Sequence, residues 1–178
     1  MGNPAVGKTQ VVCRYCEEFF SKNYKKTIGV DFFQKRLEMS PEINVSLQLW
    51  DVDGTAISGK MLDTYVHDAN AIVYVYDITN TDSFKAVEFW NREVSLVASQ
   101  NYSESSDKDA PIKILLGNKS DQQHLAKVDL DKHVQWAKDH KMEPYIGSAK
   151  TGDQINQMFY KCAADLAGVK VTKAQIEA

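Results

Sequence analysis

The octet GNPAVGKT occupies residues 2–9 and matches the pattern G-x-x-x-x-G-K-[ST] at each fixed position. Glycine lets the backbone turn sharply and point successive N–H groups at phosphate oxygens, although Pro4 removes one such group. The helical pattern that follows, at residues 8–19, adds the positive end of a helix dipole. Lys8 can reach the outer phosphates, and the Thr9 hydroxyl can bind Mg²⁺. The octet predicts a phosphate-binding loop but leaves the base undefined.

Short apolar runs alternate with helical patterns along the rest of the chain. Strands are predicted at residues 45–50, 71–76 and 112–116, with a weaker candidate at residues 144–147. Helices are predicted at residues 8–19, 83–99, 130–140 and 154–166, the last three with N-caps at Asp82, Asp129 and Asp153. This alternation predicts a doubly wound α/β sheet. We expect one domain at residues 1–168 and a loosely attached tail at residues 169–178.

Composition excludes several classes of protein. The 21 basic and 24 acidic residues give a formal charge of −3, so no nucleic-acid partner is expected. No apolar run approaches the roughly 18 residues of a membrane span, and no secretory signal opens the chain. Three cysteines do not form a disulfide framework, which favours a reducing, cytoplasmic location. Cys13 and Cys16 lie at helical spacing, where packing is favoured over a zinc site.

Two further motifs define the base. NKSD at residues 118–121 follows a predicted strand, at the edge where open α/β sheets bind ligands. The Asp121 carboxylate can accept two hydrogen bonds from guanine, whereas adenine offers no such pair. SAK at residues 148–150 follows the last predicted strand, and its N–H groups can approach the guanine carbonyl. NKSD alone would be interpreted as a polar turn, but between GNPAVGKT and SAK it indicates guanine recognition.

The sequence DVDG at residues 51–54 follows the strand predicted at residues 45–50. Asp51 can hold Mg²⁺ through a water molecule, and the Gly54 N–H can contact a γ-phosphate. Upstream, the Thr27 hydroxyl can complete the metal shell. A magnesium–triphosphate site is predicted.

In order and spacing, GNPAVGKT, Thr27, DVDG, NKSD and SAK resemble the Ras-like small GTPases, which are P-loop NTPases with a mostly parallel sheet flanked by helices. TIGVDF at residues 27–32 is similar to the Rab family. TIGVDFF, GKMLDTY, YDITN, SAKTGD and KAQIE look like the divergent Rab subfamily numbered twenty-eight. The resemblance covers essentially the whole chain. It implies a monomeric GTP/GDP switch with Mg²⁺ that acts in vesicle traffic through effector, exchange-factor and activating proteins.

The resemblance also implies roles for individual residues. The nucleotide-binding residues it implies are Asn3, Ala5, Val6, Gly7, Lys8, Thr9, Gln10, Phe20 (stacking on guanine), Tyr24, Thr27, Gly54, Asn118, Lys119, Asp121, Ser148, Ala149 and Lys150. The implied metal ligands are Thr9, Thr27 and Asp51, and the implied effector-binding residues are Ile28, Phe32, Trp50 and Tyr65. For the three aromatic residues core packing is the alternative, and for Trp50 the two interpretations are evenly matched.

The chain departs from the family at the catalytic position. Rab and Ras proteins usually carry Gln after the glycine of D-x-x-G, where it orients the attacking water, but this chain has Thr55. Asp53 adds a carboxylate near the expected γ-phosphate. Lys8 and Thr55 are therefore the candidate catalytic residues, and slow hydrolysis is expected. A binding module with little hydrolysis and a relic without nucleotide stay open, whereas a P-loop kinase or ATPase is disfavoured.

The two ends of the sequence also differ from the family. Only Met1 precedes Gly2, so the first strand of the Ras-like sheet is expected to be missing. No cysteine follows Cys162 to accept a prenyl group, so peripheral association with endomembranes is expected only of a longer form.

Overall fold

The computed structural model describes residues 1–23, 25–55, 60–101 and 110–177. In this part of the chain the helices are α1 (Lys8–Glu17), α2 (Lys60–Val66), α3 (Thr81–Asn101), α4 (Leu130–Asp139), α5 (Ile155–Leu166) and α6 (Lys173–Glu177). The strands are β1 (Val30–Ser40), β2 (Ile43–Val52), β3 (Ala71–Asp77), β4 (Ile112–Asn118) and β5 (Glu143–Ile146), and a 3₁₀ helix spans Ser120–Leu125.

Strands β3, β4 and β5 form a parallel sheet in that order, covered by helices on both faces. Along β3, Val75 packs with α1 and α5, whereas Ile72, Tyr74 and Tyr76 pack with α2 and α3. Successive strand residues point to opposite faces, so a sheet buried on both sides needs a nearly continuous apolar strand. This arrangement confirms the predicted α/β fold and brings the carboxyl ends of the strands to one edge.

Strands β1 and β2 form an antiparallel hairpin that is not hydrogen-bonded to the parallel sheet among the described residues. Its inward side chains, Met39 and Leu47, enter the same core cluster as α1 and α5. Beside β3, the Met1 amino group donates to the Val73 carbonyl (2.8 Å), and the Met1 carbonyl accepts from the Val75 N–H (2.9 Å). These two bonds follow the pattern of a parallel ladder. Within residues 1–7, Met1 is thus the one residue that pairs with the sheet.

The four predicted strands and four predicted helices are confirmed, with shifted ends. Strand β1 and helices α2 and α6 were not predicted, and α6 lies in the expected tail, where Val169 and Val171 also pack against the core. The Asp129 cap is confirmed, because its carboxylate accepts from the N–H groups of Asp131 and Lys132.

The caps predicted at Asp82 and Asp153 are wrong. Asp82 lies inside α3, and the Asn80 side chain accepts from the N–H groups of Asp82 and Ser83 instead. Helix α5 begins after Gln154, whose side chain makes no capping bond. In the described part of the chain, no helix combines the length and apolar character needed to cross a bilayer.

Candidate nucleotide-binding site

A cavity of about 250 Å³ opens where the N-terminus of α1 meets the carboxyl ends of β4 and β5. Most of the predicted nucleotide-binding residues line it: Ala5, Gly7, Lys8, Thr9, Gln10, Phe20, Thr27, Gly54, Asn118, Lys119, Asp121, Ser148, Ala149 and Lys150. Pro4, Ser21, Lys22, Asn23, Lys25, Lys26, Asp53 and Gln122 also line it. Motifs that are far apart in sequence therefore line the same cavity.

At one end of the cavity the loop at residues 2–7 turns into α1. Gly7 has φ +98°, and a Cβ there would lie 2.4 Å from the Asn118 side-chain nitrogen, so the turn needs glycine twice over. The Lys8 ammonium donates to the carbonyls of Gly2 (2.9 Å) and Asn3 (3.0 Å). Burial lowers the pKa of Lys8, while Asp51 and Asp53 oppose that shift. The loop thus holds a cation at the start of a helix, as anion binding requires.

The three predicted metal ligands lie together beside this loop. The Thr9 hydroxyl donates to Asp51 Oδ2, the Thr27 hydroxyl donates to the same oxygen (3.2 Å), and the two hydroxyls are 2.9 Å apart. Asp51 is 2% exposed, and its Oδ1 is buried without a hydrogen-bond partner among the described residues. A buried carboxylate oxygen without a donor is costly unless a cation or water binds it. Two hydroxyls and this carboxylate form the all-oxygen set that Mg²⁺ prefers.

Between that loop and the other end of the cavity, Asn118 joins two loops. Its side-chain nitrogen donates to the Val6 carbonyl (2.9 Å), and its side-chain oxygen accepts from the Ala149 N–H (3.0 Å). Asn118 ends β4 and is 2% exposed, so its amide is held in one orientation. The phosphate-binding loop and the SAK loop at residues 148–150 are thereby tied to the same strand end.

Asp121 faces this end of the cavity with both oxygens oriented. Ser148 Oγ donates to Oδ1 (2.7 Å) and Lys150 Nζ lies 3.2 Å from Oδ2. Burial alone would raise the pKa of Asp121, but the bonds from Ser148 and Lys150 outweigh it and lower the pKa. An ionised carboxylate retains further lone pairs for two N–H donors of a ligand.

Lys119 is held by a residue that was not predicted. Its ammonium donates to Asp77 Oδ2 (2.6 Å) and to the Ala5 carbonyl (3.3 Å). Burial of Asp77 is outweighed by hydrogen bonds from Lys119 and Thr79, which lower the pKa of its carboxyl. Asp77 is the last residue of β3, and Asp51 is the last but one of β2, so a carboxylate near a strand end was the sequence signal available for Asp77.

The predicted residues Asn3, Val6, Gln10 and Tyr24 differ in their placement. Val6 is in the core at 2% exposure, and the Asn3 side chain accepts from Trp90 Nε1 (3.2 Å); neither residue lines the cavity. Gln10 lines the cavity and accepts from the Ser21 N–H (2.9 Å). Tyr24 falls outside the described residues.

The candidate catalytic segment follows β2. A Cβ on Gly54 would lie 2.4 Å from the Pro4 nitrogen and 2.8 Å from Lys8 Nζ, so this glycine touches the phosphate-binding loop. The Asp53 carboxylate accepts from the Thr55 N–H (3.0 Å) and from the Thr55 hydroxyl (2.8 Å). The Thr55 N–H bond is the main cause of the lowered pKa of Asp53. Thr55 is exposed, and its hydroxyl hydrogen is directed at Asp53.

Comparison with known proteins follows the same motifs. The sequence model of the Ras family matches residues 1–167, which is nearly the whole chain. The chain belongs to the Ras family. It is similar to Ras-related protein Rab-28 of Caenorhabditis elegans, with 36% identity over 179 residues that cover 100% of this chain and 69% of that protein.

This Rab-like small GTPase therefore belongs to a family that binds guanine nucleotide and hydrolyses GTP.

The three aromatic residues predicted to bind effectors contact one another at the β1–β2 hairpin and α2. Phe32 pairs with Trp50 across the strands, with ring centroids 4.9 Å apart, and Trp50 lies 6.2 Å from Tyr65 on α2. Phe32 is 64% exposed and Trp50 45%, whereas Tyr65 is buried. Ile28, just before the hairpin, is exposed. Core packing therefore describes Tyr65 but not Phe32 or Trp50.

Proposed function

We propose that this Rab-like GTPase is a GTP/GDP switch that requires Mg²⁺, hydrolyses GTP slowly and acts in vesicle traffic at endomembranes. The observation that carries this proposal is that one cavity is lined by the phosphate-binding loop, Thr27, DVDG, NKSD and SAK together. Each motif supplies what a different part of a guanine nucleotide needs: N–H groups and Lys8 for phosphates, Asp121 for the base. Family membership supports the same class of ligand.

Magnesium would be held by the hydroxyls of Thr9 and Thr27, and by Asp51 through a water molecule. When bound, Mg²⁺ neutralises charge on the outer phosphates. The unpaired Oδ1 of Asp51 supports this assignment. Replacing Thr9 with Asn removes a hydroxyl ligand, so GTP affinity should fall more than GDP affinity. Titration of both nucleotides, with and without a chelator, measures this difference, and equal losses would contradict the assignment.

Slow hydrolysis follows from the contacts of Thr55. Orienting a water requires a side chain that reaches both the water and the phosphate, and the Thr55 hydroxyl already donates to Asp53. The Asp53 carboxylate also repels a hydroxide-like nucleophile and the γ-phosphate. This feature favours a second candidate function, a nucleotide-loaded module that recruits effectors with little GTPase activity.

Effectors are proposed to bind the exposed side chains of Ile28, Phe32 and Trp50, with Tyr65 packed against Trp50. Exposed aromatic side chains are enriched at protein interfaces because they bury a large area with few rotatable bonds. Exchange factors and activating proteins would act on the adjoining segments at residues 25–29 and 53–55.

The decisive experiment is identification of the nucleotide that co-purifies with the protein. Mass spectrometry should find GDP or GTP, and excess ATP should not displace it. Release of phosphate from bound GTP then separates the slow GTPase from the inactive module. Co-purification of an adenine nucleotide, or binding of neither class, would refute the proposal.

A further inference from the structure

Arg14, in the last turn of α1, contacts both the SAK loop and the residue that follows the helix, Glu18. Its Nε donates to the Ala149 carbonyl (2.8 Å) and its Nη2 to the Lys150 carbonyl (2.8 Å). Its Nη1 donates to the Glu18 carbonyl (2.9 Å). The planar guanidinium has N–H groups that diverge in fixed directions, so one half-buried side chain can satisfy three carbonyls.

The contact with Ala149 completes a chain of hydrogen bonds from Val6 through Asn118 and Ala149 to Arg14. The Ala149 N–H donates to Asn118, and the Ala149 carbonyl accepts from Arg14, so this residue is fixed on both sides. Asn118 also donates to Val6 in the phosphate-binding loop. Helix α1 starts directly after that loop and carries Arg14. The phosphate and base ends of the cavity are therefore linked through two side chains, Asn118 and Arg14.

The contact with Glu18 connects Arg14 to the segment that leads to Phe20. Glu18 ends α1 in a left-handed conformation with φ 56°, and the chain then leads to Phe20, which lines the cavity. The SAK loop, which Arg14 also contacts, carries Ser148 and Lys150, both of which contact the Asp121 carboxylate. One guanidinium thus positions the Phe20 segment and, through the SAK loop, the carboxylate proposed to recognise guanine.

We propose that Arg14 is a positioning residue for base selectivity, which rests on the proposed guanine-nucleotide function. Arg14 does not line the cavity. It sets the placement of Phe20, the SAK loop and Asp121 relative to the phosphate-binding loop. A residue that only stabilised the fold would affect all nucleotides equally, whereas a positioning residue changes the preference among bases.

The test compares Arg14→Gln and Arg14→Lys with Arg36→Gln, a control at an exposed arginine on β1. Dissociation constants are measured for GDP, ADP and inosine diphosphate, which lacks the exocyclic amine assigned to Asp121. In Arg14→Gln the GDP affinity should fall ~10-fold or more and the preference for GDP over inosine diphosphate should narrow ~3-fold or more. Arg14→Lys should lie between, because an ammonium can still reach a carbonyl. Arg36→Gln should match the unaltered protein.

Thermal unfolding is recorded for each variant. Equal losses for GDP and inosine diphosphate would show a merely structural role and overturn the proposal, as would unchanged affinities. If Arg14→Gln fails to fold, Arg14→Lys decides, and an unchanged preference in that variant overturns the proposal. The proposed function fails on a different result, namely that the unaltered protein does not prefer GDP to ADP.

Discussion

Asp121 has both carboxylate oxygens in contact with SAK side chains before a base arrives. Asp121→Asn replaces two acceptors by one acceptor and one donor, and the new donor would face the guanine amine. We expect GDP affinity to fall ~100-fold or more and xanthosine diphosphate, which has a carbonyl at that position, to gain. Competition binding with the two nucleotides measures the exchange. Asp153→Asn is the matched control, because Asp153 is an exposed loop acid near the same site that does not line the cavity; if Asp121→Asn bound GDP normally, the assignment would be wrong.

The pair formed by Asp53 and Thr55 makes a second prediction at this scale. Thr55→Gln supplies an amide long enough to orient water, so single-turnover phosphate release should rise at least ~10-fold. The gain should be larger in the double variant Thr55→Gln, Asp53→Gly, because the carboxylate no longer repels the reacting groups. Asp53→Gly alone is the control for that charge. Turnover that stayed the same in all three variants would sink the idea that these residues limit hydrolysis.

The contribution of the Asp129 N-cap to the stability of helix α4 can be tested by substitution. Asp129 accepts from the Asp131 N–H (2.8 Å) and the Lys132 N–H (3.3 Å), which satisfies two helix-end donors. Asp129→Ala should therefore lower the free energy of unfolding by about 1 kcal/mol, whereas Asp131→Ala, a first-turn acid without a capping bond, should cost less. Chemical denaturation measures both. Equal values for the two variants would contradict the assigned cap.

Sequence patterns predicted strands β2 to β5 from their apolar residues, and missed β1 and α2, which are stabilised by contacts with distant residues. Strand β1 carries charged residues on a largely exposed surface, so its local pattern is weak, and its pairing with β2 holds it extended. Helix α2 is short, and Leu62 and Val66 stabilise it by packing into the core. The conformation of both elements therefore depends on tertiary contacts, which a local sequence pattern does not contain.

The same distinction applies to the site. Most of the motif residues line the cavity, and they were predictable because the chemistry proposed for them restricts the residue type. Arg14 and Asp77 were not predicted, since Arg14 binds backbone carbonyls more than 130 residues away in sequence and Asp77 acts through Lys119. The partners of Arg14 are set by the fold and leave no local pattern, whereas the signal for Asp77 was only its place at the end of a strand.

Buried His133 makes the stability of the whole molecule depend on pH. It is 1% exposed, its Nδ1 lies 2.9 Å from the Tyr76 hydroxyl, and its Nε2 has no hydrogen-bond partner among the described residues. Burial lowers its pKa from 6.5 to about 4. The unfolded chain therefore binds a proton in this window while the folded protein does not, so stability is lost as pH falls from about 6.5 toward 4.

By pH 4.5 this single group should cost roughly 2–3 kcal/mol relative to pH 7.5. The lowered pKa values of Asp77 and Asp121 also make the folded protein less stable as pH falls, at lower pH than His133 does. The contribution of His133 is therefore measured as the difference in stability loss between a His133 variant and the unaltered protein. His133→Gln, which does not titrate and retains a partner for Tyr76, should lose less stability than the unaltered protein over this range. Denaturation at both pH values measures the two losses, and identical losses would assign the pH dependence elsewhere.

The Lys8 contacts also restrict how this lysine can bind a ligand. An ammonium group has three N–H bonds, and those of Lys8 reach the Gly2 and Asn3 carbonyls at 2.9 and 3.0 Å. One N–H bond is left for a phosphate oxygen, in a direction that the other two determine by tetrahedral geometry. Arginine at this position could not do the same, because its N–H bonds lie in a single plane and could not meet both carbonyls while another donor pointed out of that plane.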